Sequence, residues 1–105
     1  MAVRSVAIWQ PSPGKAGAFL AICTQAKAIH ERLGGKVRVS QLTFAGPNAG
    51  QIVYSIEHAD MTALAKFGEK LSADTAWQTL WSGSQTADPA ATLQSHSVLG
   101  DVPGF

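Results

Sequence analysis

The sequence predicts an α+β domain in which a four-stranded antiparallel sheet carries helices on one face. An amphipathic helical period follows the first β-prone segment. Two extended segments flank a loop rich in Gly, Pro and Asn. The elements then run in the order β-α-β-β-α-(α)-β. We expect a single domain over residues 1–105, with an irregular tail at Gly100–Phe105.

Turn-forming and capping residues indicate where the first strand and the first helix begin and end. Val3–Trp9 is β-prone and stops at Gln10-Pro11. Ser12-Pro13 predicts a helix start, because serine can cap the first turn and proline at the first helical position loses no hydrogen bond. Apolar residues then recur at steps of three and four, at Phe19, Ile22, Ala26, Ile29 and Leu33, with Leu20 and Cys23 widening the stripe. Gly34-Gly35 ends this helix.

A hairpin is predicted next. Lys36–Phe44 alternates as a strand, Ala45–Gly50 is dense in turn-forming residues, and Gln51–His58 resumes an extended pattern. In the second of these strands, Ile52, Tyr54 and Ile56 lie in phase.

The second half of the chain predicts two helices and a last strand. Asp60 and Asp74 are both suited to cap a helix. The first helix presents Met61, Leu64, Ala65, Gly68 and Leu71 on one face, and the second presents Trp77, Leu80 and Trp81 before it stops at Ser82–Ser84. A final strand is expected over Thr92–Leu99.

This order is the split βαβ pattern of ferredoxin-like folds. Helices then cover one sheet face, and apolar residues in both strand phases indicate that the other face is covered too. Val53, for example, lies opposite in phase to Ile52 and Ile56. We therefore expect a homodimer packed sheet to sheet.

The composition agrees with a covered second face. Only 14% of the residues are charged, against about 25% in a typical soluble domain. The net charge of +1 provides no basic stripe for nucleic acid or anionic lipid. The single cysteine, Cys23, excludes an intrachain disulfide, and no apolar stretch approaches the length of a bilayer span or a signal peptide. We expect a cytoplasmic protein.

Several segments together resemble the dimeric α/β-barrel superfamily, in particular its NIPSNAP-like and antibiotic-biosynthesis-monooxygenase-like small domains. The resemblance spans roughly residues 3–99 and rests on hydrophobic and turn patterns, at Pro13–Lys15, Leu33–Val37, Ile52–Glu57 with Asp60-Met61, and Asp74–Gln78. It implies dimers whose sheets close into a barrel, often around a small cavity. It also implies activities that include cofactor-free oxygenation and isomerisation, beside members with no known reaction.

Three residues are candidates for acid–base chemistry. His96 lies in the last strand between two serines, where it could face a cavity between the sheets. Tyr54 is either a core tyrosine with its hydroxyl at the rim or a donor to a ligand oxygen. Glu57 is either a general base or an exposed or paired carboxylate, with Arg4 or Arg38 as its partner across the sheet.

The remaining histidines and the cysteine favour structural roles. His30 is more readily a surface residue near a helix C-terminus, and His58 more readily part of a turn. Cys23 is most simply a small buried hydrophobe. These four side chains lack the spacing of metal ligands, and we expect neither a metal nor a cofactor.

The three tryptophans leave two hypotheses open. Trp9, Trp77 and Trp81 with Tyr54 could line a cavity for a small apolar or aromatic ligand; otherwise Trp77 and Trp81 form a lid packed on the sheet or the partner subunit. The first hypothesis is therefore a ligand-binding protein. The second is a cofactor-independent monooxygenase or isomerase acting on a hydrophobic molecule. A domain that only assembles, without a ligand, is a third option.

Overall fold

The computed structural model describes residues 1–44 and 46–105 and contains the predicted elements in the predicted order. The strands are β1 (Val3–Pro11), β2 (Lys36–Gln41), β3 (Ile52–His58) and β4 (Ala91–Gly100). The helices are α1 (Ala16–Arg32), α2 (Met61–Ala73) and α3 (Thr75–Ser84), with one short 3-10 turn at Gly46–Asn48.

The four strands form one antiparallel sheet in the spatial order β2-β3-β1-β4. This is the order of a ferredoxin-like split βαβ fold with helices on one face, and the predicted fold class is confirmed. The pairing of β1 with β4 shifts register between Ile8 and Trp9, so that Gln94 is an extra residue in β4.

The structure resolves which strand phase faces the helices. Ile52, Tyr54 and Ile56 are buried against the helices, together with Phe19, Cys23, Ala26 and Phe67. Val53, Ser55 and Glu57 lie on the opposite face and are only half-buried in the single chain. The alternation in β3 is therefore regular, with Ile52, Tyr54 and Ile56 on the helix side and Val53 on the other side.

The start of α1 differs from the prediction. Ser12–Lys15 forms a β-turn, in which the Lys15 amide donates to the Ser12 carbonyl at 2.9 Å and Gly14 has a φ of +75°. Proline at the second position and glycine at the third suit a type II turn. The Ser12 hydroxyl donates to the Pro89 carbonyl at 2.7 Å instead of capping a helix, and α1 begins only at Ala16.

Strand β2 is shorter than predicted. It ends at Gln41, and the predicted continuation to Phe44 is wrong because the chain turns away at Leu42. The Leu42 amide donates to the Gln51 carbonyl, and the Gly50 amide donates to the Leu42 carbonyl. These bonds close the connection to β3 and leave Phe44 fully exposed.

The predicted caps at the other helix ends are confirmed. The carboxylates of Asp60 and Asp74 accept from the amides three residues further on, at 2.7 and 2.9 Å. Arg32 of α1 donates to Asp74 at 2.8 Å, which ties α1 to the junction of α2 and α3.

No helix among residues 1–44 and 46–105 is long and apolar enough to cross a membrane.

Candidate functional site

A cavity of about 690 Å³ lies between the helices and the sheet. Its walls are aromatic and aliphatic for the most part, and no lysine, arginine, aspartate or glutamate is among the described residues that line it. Side chains of β1, β3, β4 and all three helices contribute to it. This is the size of a typical small-molecule site, about 300–1,000 Å³.

The cavity has a closed end and an open end. Phe19, Cys23, Ala26, His30 and Tyr54 line it and are all buried. At the other end, the lining residues Trp81, Leu93 and His96 are exposed. The space therefore runs from α1 and β3 outward to a mouth between α3 and β4.

The floor of the cavity is shaped by sheet register. Tyr54, Ala7 and His96 stand in one row across β3, β1 and β4, because Ala7 pairs with both of the others. Strands are about 4.8 Å apart, which separates the backbones of Tyr54 and His96 by about 10 Å. The small side chain of Ala7 leaves the space between them open.

A buried pair, His30 and Tyr54, closes the inner end. His30 is 4% exposed, and its Nδ1 lies 2.6 Å from the Tyr54 hydroxyl. Burial lowers the pKa of His30 to about 4, assisted by the nearby His58, and burial also raises the pKa of Tyr54. Both groups are therefore neutral at pH 7. The hydroxyl points inward to His30, so the expectation of a hydroxyl at the rim is wrong.

The position of His30 follows from the way α1 ends. The Gly34 amide donates to the Glu31 carbonyl, the Gly35 amide donates to the His30 carbonyl, and Gly34 has a φ of +101°. These two hydrogen bonds are the pattern of a Schellman motif. It holds the last turn of α1 against β3 and turns His30 toward the core, so the expected surface position is wrong.

A second polar pair lies toward the mouth. The Ser5 hydroxyl and His96 Nε2 are 2.9 Å apart, on the neighbouring strands β1 and β4, and both residues line the cavity. The His96 side chain is exposed to solvent at this position. Its predicted role in proton transfer stays a prediction.

All three tryptophans line the cavity. Trp9 packs on Phe19 with ring centroids 5.4 Å apart, while Trp77 and Trp81 stack at 5.6 Å. Trp77 also lies 4.6 Å from the His30 ring. Their predicted contact with a ligand is untested, but the structure brings them together with Tyr54 around one space.

Glu57 is not brought to this cavity. It lies on the opposite sheet face, where Arg4 and Lys36 are its register partners on the two neighbouring strands. It borders a smaller hollow of about 360 Å³ together with His58 and three lysines, Lys36, Lys66 and Lys70. It is not among the residues that line the cavity between the helices and the sheet.

Cys23 is buried in the apolar stripe of α1 as predicted, and burial raises the pKa of its thiol to about 11. Within the described part of the chain, no three His, Cys, Asp or Glu side chains are grouped so that they could hold a metal ion.

Sequence reasoning missed His30, Ser5 and Ala7. A usable signal existed for His30, because Phe19, Cys23, Ala26 and His30 follow one another at steps of four, three and four. The stripe predicted through Ile22 and Ile29 lies one residue to the side, and both of these residues are only half-buried. Ser5 and Ala7 share the strand phase of Val3 and Trp9, but nothing in the sequence identified that phase as the cavity side.

Comparisons with known proteins support the fold. No protein-family model matches this chain, and no curated protein sequence matches it. Among solved structures, an uncharacterised NIPSNAP domain protein from Burkholderia xenovorans is 18% identical with a TM-score of 0.75. This match covers 100% of this chain and 98% of the other. A NIPSNAP family protein from Agrobacterium tumefaciens is 17% identical with a TM-score of 0.74, covering 99% and 89% of the two chains.

A third similar structure belongs to a protein described as an enzyme. SnoaB, a cofactor-independent oxygenase from Streptomyces nogalater, is 15% identical with a TM-score of 0.66, and the match covers 95% of this chain and 92% of SnoaB. Identities this low show a shared fold. The resemblance predicted from the sequence is confirmed at that level.

Proposed function

We propose that this protein binds a small, flat, apolar molecule in the cavity between its helices and its sheet. The observation that carries the proposal is the cavity itself, about 690 Å³ with aromatic walls and, in the part of the chain that the structure describes, no formally charged lining residue. Small-molecule sites are typically concave and apolar, with a few polar groups. An apolar space of this size, open at one end, in a chain of 105 residues fits such a site.

The shape of the cavity supports a planar occupant. A ligand lying over Ala7 would have Tyr54 at one end and His96 at the other, about 10 Å apart along the sheet. Trp77 and Trp81 would cover it from α3. A rigid molecule of two or three fused rings fits this span and loses little conformational entropy on binding.

A larger side chain at Ala7, on the sheet side of the cavity, tests this proposal. Ala7→Leu places a larger side chain between Tyr54 and His96, and we expect it to weaken the binding of fluorene by about tenfold or more, with the free energy of unfolding unchanged or raised. Calorimetry and quenching of tryptophan fluorescence measure the affinity. The matched control is Ala28→Leu on the exposed face of α1. Equal affinity of the two variants for fluorene would contradict a ligand position above Ala7.

A cofactor-independent oxygenase is the second candidate function, and two observations favour it. SnoaB, which is described as such an enzyme, has a similar fold, and the cavity wall carries two hydrogen-bonded pairs, Ser5 with His96 and His30 with Tyr54. His96 is the group that would transfer a proton and Tyr54 the group that would orient the substrate; Glu57 lies on the other sheet face and has no part in it. An isomerase would use the same two groups without consuming oxygen.

Oxygen uptake separates these activities. Fused-ring probes with an acidic C–H or O–H, such as fluorene and 1-naphthol, are incubated with the protein in an oxygen electrode, and products are identified by mass. An oxygenase consumes oxygen and loses this activity in His96→Ala, whereas an isomerase returns a product of unchanged mass. Binding without either change supports the ligand-binding function.

We also propose that the protein is a homodimer joined through the sheet face that the helices leave uncovered. Val6, Ile8, Val53 and Leu99 give this face an apolar centre, and Ser40, Ser55, Ser95 and Ser97 add small polar side chains. Such a face buries apolar surface when a second copy covers it. The low charge of the chain fits this arrangement.

A further inference from the structure

Four ring side chains form a continuous row from the protein surface to the core: Trp81, Trp77, His30 and Tyr54. Trp81 stacks on Trp77 with ring centroids 5.6 Å apart, and Trp77 lies 4.6 Å from the His30 ring. The His30 ring lies 5.5 Å from the Tyr54 ring, and its Nδ1 is 2.6 Å from the phenol oxygen. We call these four residues the aromatic row.

The exposed fraction of the side chains falls along the aromatic row. Trp81 is 41% exposed and Trp77 is half-buried. Tyr54 is 8% exposed and His30 is 4% exposed. Trp9, the remaining tryptophan, packs on Phe19 and makes no ring contact with the aromatic row among the described residues. A solute in solvent can therefore touch the outer end of the row, while the inner end is shielded from it.

The chemistry of the two ring types sets a direction for electron transfer along this row. Tryptophan and tyrosine rings lose one electron far more readily than aliphatic side chains do. An oxidised tryptophan can take an electron from a phenol if the phenol loses its proton at the same time, because an oxidised phenol is a very strong acid. In an apolar interior, a proton released without an acceptor would be an unpaired buried charge, which is costly. A proton acceptor at the phenol therefore decides whether the electron moves.

His30 supplies this acceptor. Burial lowers the pKa of His30 to about 4 and raises the pKa of Tyr54, so both groups are neutral before oxidation. If the phenol donates to Nδ1, only Nε2 of His30 lacks a partner; if Nδ1 donates, the phenol hydrogen lacks one as well. The first arrangement satisfies more groups, so the phenol hydrogen lies between the phenol oxygen and Nδ1. An imidazole with a pKa of about 4 is still far more basic than an oxidised phenol.

We propose that the aromatic row is an electron-transfer relay, which takes up the oxidising equivalent of a one-electron oxidant in solvent, such as a peroxyl radical, and holds it as a neutral phenoxyl radical at Tyr54. Trp81 gives one electron to the oxidant, which becomes a hydroperoxide anion, and Trp77 gives one electron to Trp81. Tyr54 then gives one electron to Trp77 while its phenol proton moves to Nδ1 of His30. The products are the reduced oxidant, a neutral phenoxyl radical and a His30 imidazolium, so electrons, protons and charge balance.

The relay stores an oxidising equivalent in a buried ring, away from solutes that would react with a radical at the surface. No ligand takes part in these steps, so the relay does not depend on the proposed ligand binding. His30 acts here through an atom that already touches the phenol, and its other nitrogen needs no partner from outside the core.

Flash photolysis of the intact protein tests the relay. Tris(bipyridine)ruthenium(III), generated by a laser flash with hexaammineruthenium(III) as the quencher, serves as the one-electron oxidant. The chain has one tyrosine, so a tyrosyl radical seen by transient absorption or by electron paramagnetic resonance belongs to Tyr54. We expect a tryptophanyl radical to appear first and a tyrosyl radical to form as it decays. Absence of a tyrosyl radical in the folded wild type would overturn the proposal.

The proton transfer has its own readout in the wild type, which is independent of the folding of any variant. Because His30 accepts the proton inside the protein, the tyrosyl radical should form more slowly in heavy water, and its rate at neutral pH should not depend on buffer concentration. A rate that rises with buffer concentration would show that solvent takes the proton, and it would overturn the role of His30.

Matched variants identify the members of the relay. His30→Phe keeps a ring and removes the proton acceptor, so the tyrosyl radical should form about tenfold more slowly or not at all. His58→Phe makes the same change at a buried histidine outside the aromatic row and should keep the wild-type rate. Trp81→Phe should lower the yield of the tyrosyl radical, whereas Trp9→Phe should keep it. Equal rates in the two histidine variants, or equal yields in the two tryptophan variants, would overturn the proposal.

Discussion

At the scale of single residues, burial has a larger effect on the pKa of His30 than the electric field at the end of its helix. A histidine in the last turn of a helix ordinarily gains from the helix dipole as a cation, by about 0.3–1 kcal/mol. Here the ring is enclosed by Tyr54, Phe67 and Trp77, and desolvation lowers its pKa to about 4. A group that sequence position alone assigns to the surface thus becomes a neutral hydrogen-bonding element of the core.

This protonation behaviour predicts how stability depends on pH. The unfolded chain binds a proton at His30 near pH 6.5, whereas the folded protein resists protonation down to about pH 4. The free energy of unfolding should therefore fall by about 3 kcal/mol as the pH drops from 6.5 to 4. His58 adds to the loss, because its pKa is also lowered by burial.

Urea unfolding between pH 4 and pH 8 measures this dependence. His30→Phe should flatten the curve between pH 6.5 and 4, since the unfolded state then gains one proton fewer. A wild-type stability that stays level over this range would contradict the neutral, buried state of His30.

At the scale of elements, Gly35 in the turn between α1 and β2 is packed closely against the core. A Cβ added to Gly35 would lie 2.5 Å from Cγ2 of Ile56 and 3.3 Å from the ring of Phe67. Ile56 is β-branched and buried, so its methyl group has little freedom to retreat. The same turn ends α1 and orients His30, so its fit bears on both the core and the cavity.

Gly35→Ala should lower the free energy of unfolding by about 1–3 kcal/mol through overpacking. The same substitution at Gly17, on the open side of α1, meets no atom within 4 Å and should stabilise the helix by about 0.5–1 kcal/mol. Thermal and chemical unfolding of the two variants give the comparison. A Gly35→Ala protein as stable as the wild type would show that the turn can shift.

The elements were predictable where the signal was local. The caps at Asp60 and Asp74, the end of α1 at Gly34-Gly35 and the hairpin before β3 all depend on neighbouring residues. The start of α1 was not predictable in this way, because Pro13 fits both a first helical turn and a type II turn. Gly14 decides for the turn. The cavity was also beyond prediction: it depends on which strand phase faces the helices, and both phases contain apolar residues.

At the scale of the whole molecule, the low charge of the chain agrees with a covered sheet. The helices cover one face, and the apolar centre of the other is half-exposed in a single copy. Strand β4 adds Leu99 to this surface, and this side chain is close to half exposed. A second copy on this face would bury Leu99 together with the apolar centre.

Ile8→Lys tests the proposed dimer, because it introduces a charge at the centre of the uncovered face. Sedimentation equilibrium should give the wild type about twice the 11.0 kDa of one chain and the variant a mass near one chain. Ala28→Lys on the exposed surface of α1 is the control and should remain dimeric. A wild type with the mass of one chain at micromolar concentration would refute the dimer.

Because β4 contains an extra residue, the effect of deleting one residue from this strand depends on which residue is removed. Ala91–Leu93 and Ser95–Gly100 pair with β1 in registers that differ by one, and Gln94 takes up the difference. Removing Gln94 would merge the two registers, and all the remaining side chains of β4 would stay on their present faces. Removing Ser97 would turn one part of the strand over, exchanging cavity-facing and outward-facing residues. Circular dichroism and thermal unfolding should therefore find the chain without Gln94 folded and the chain without Ser97 strongly destabilised.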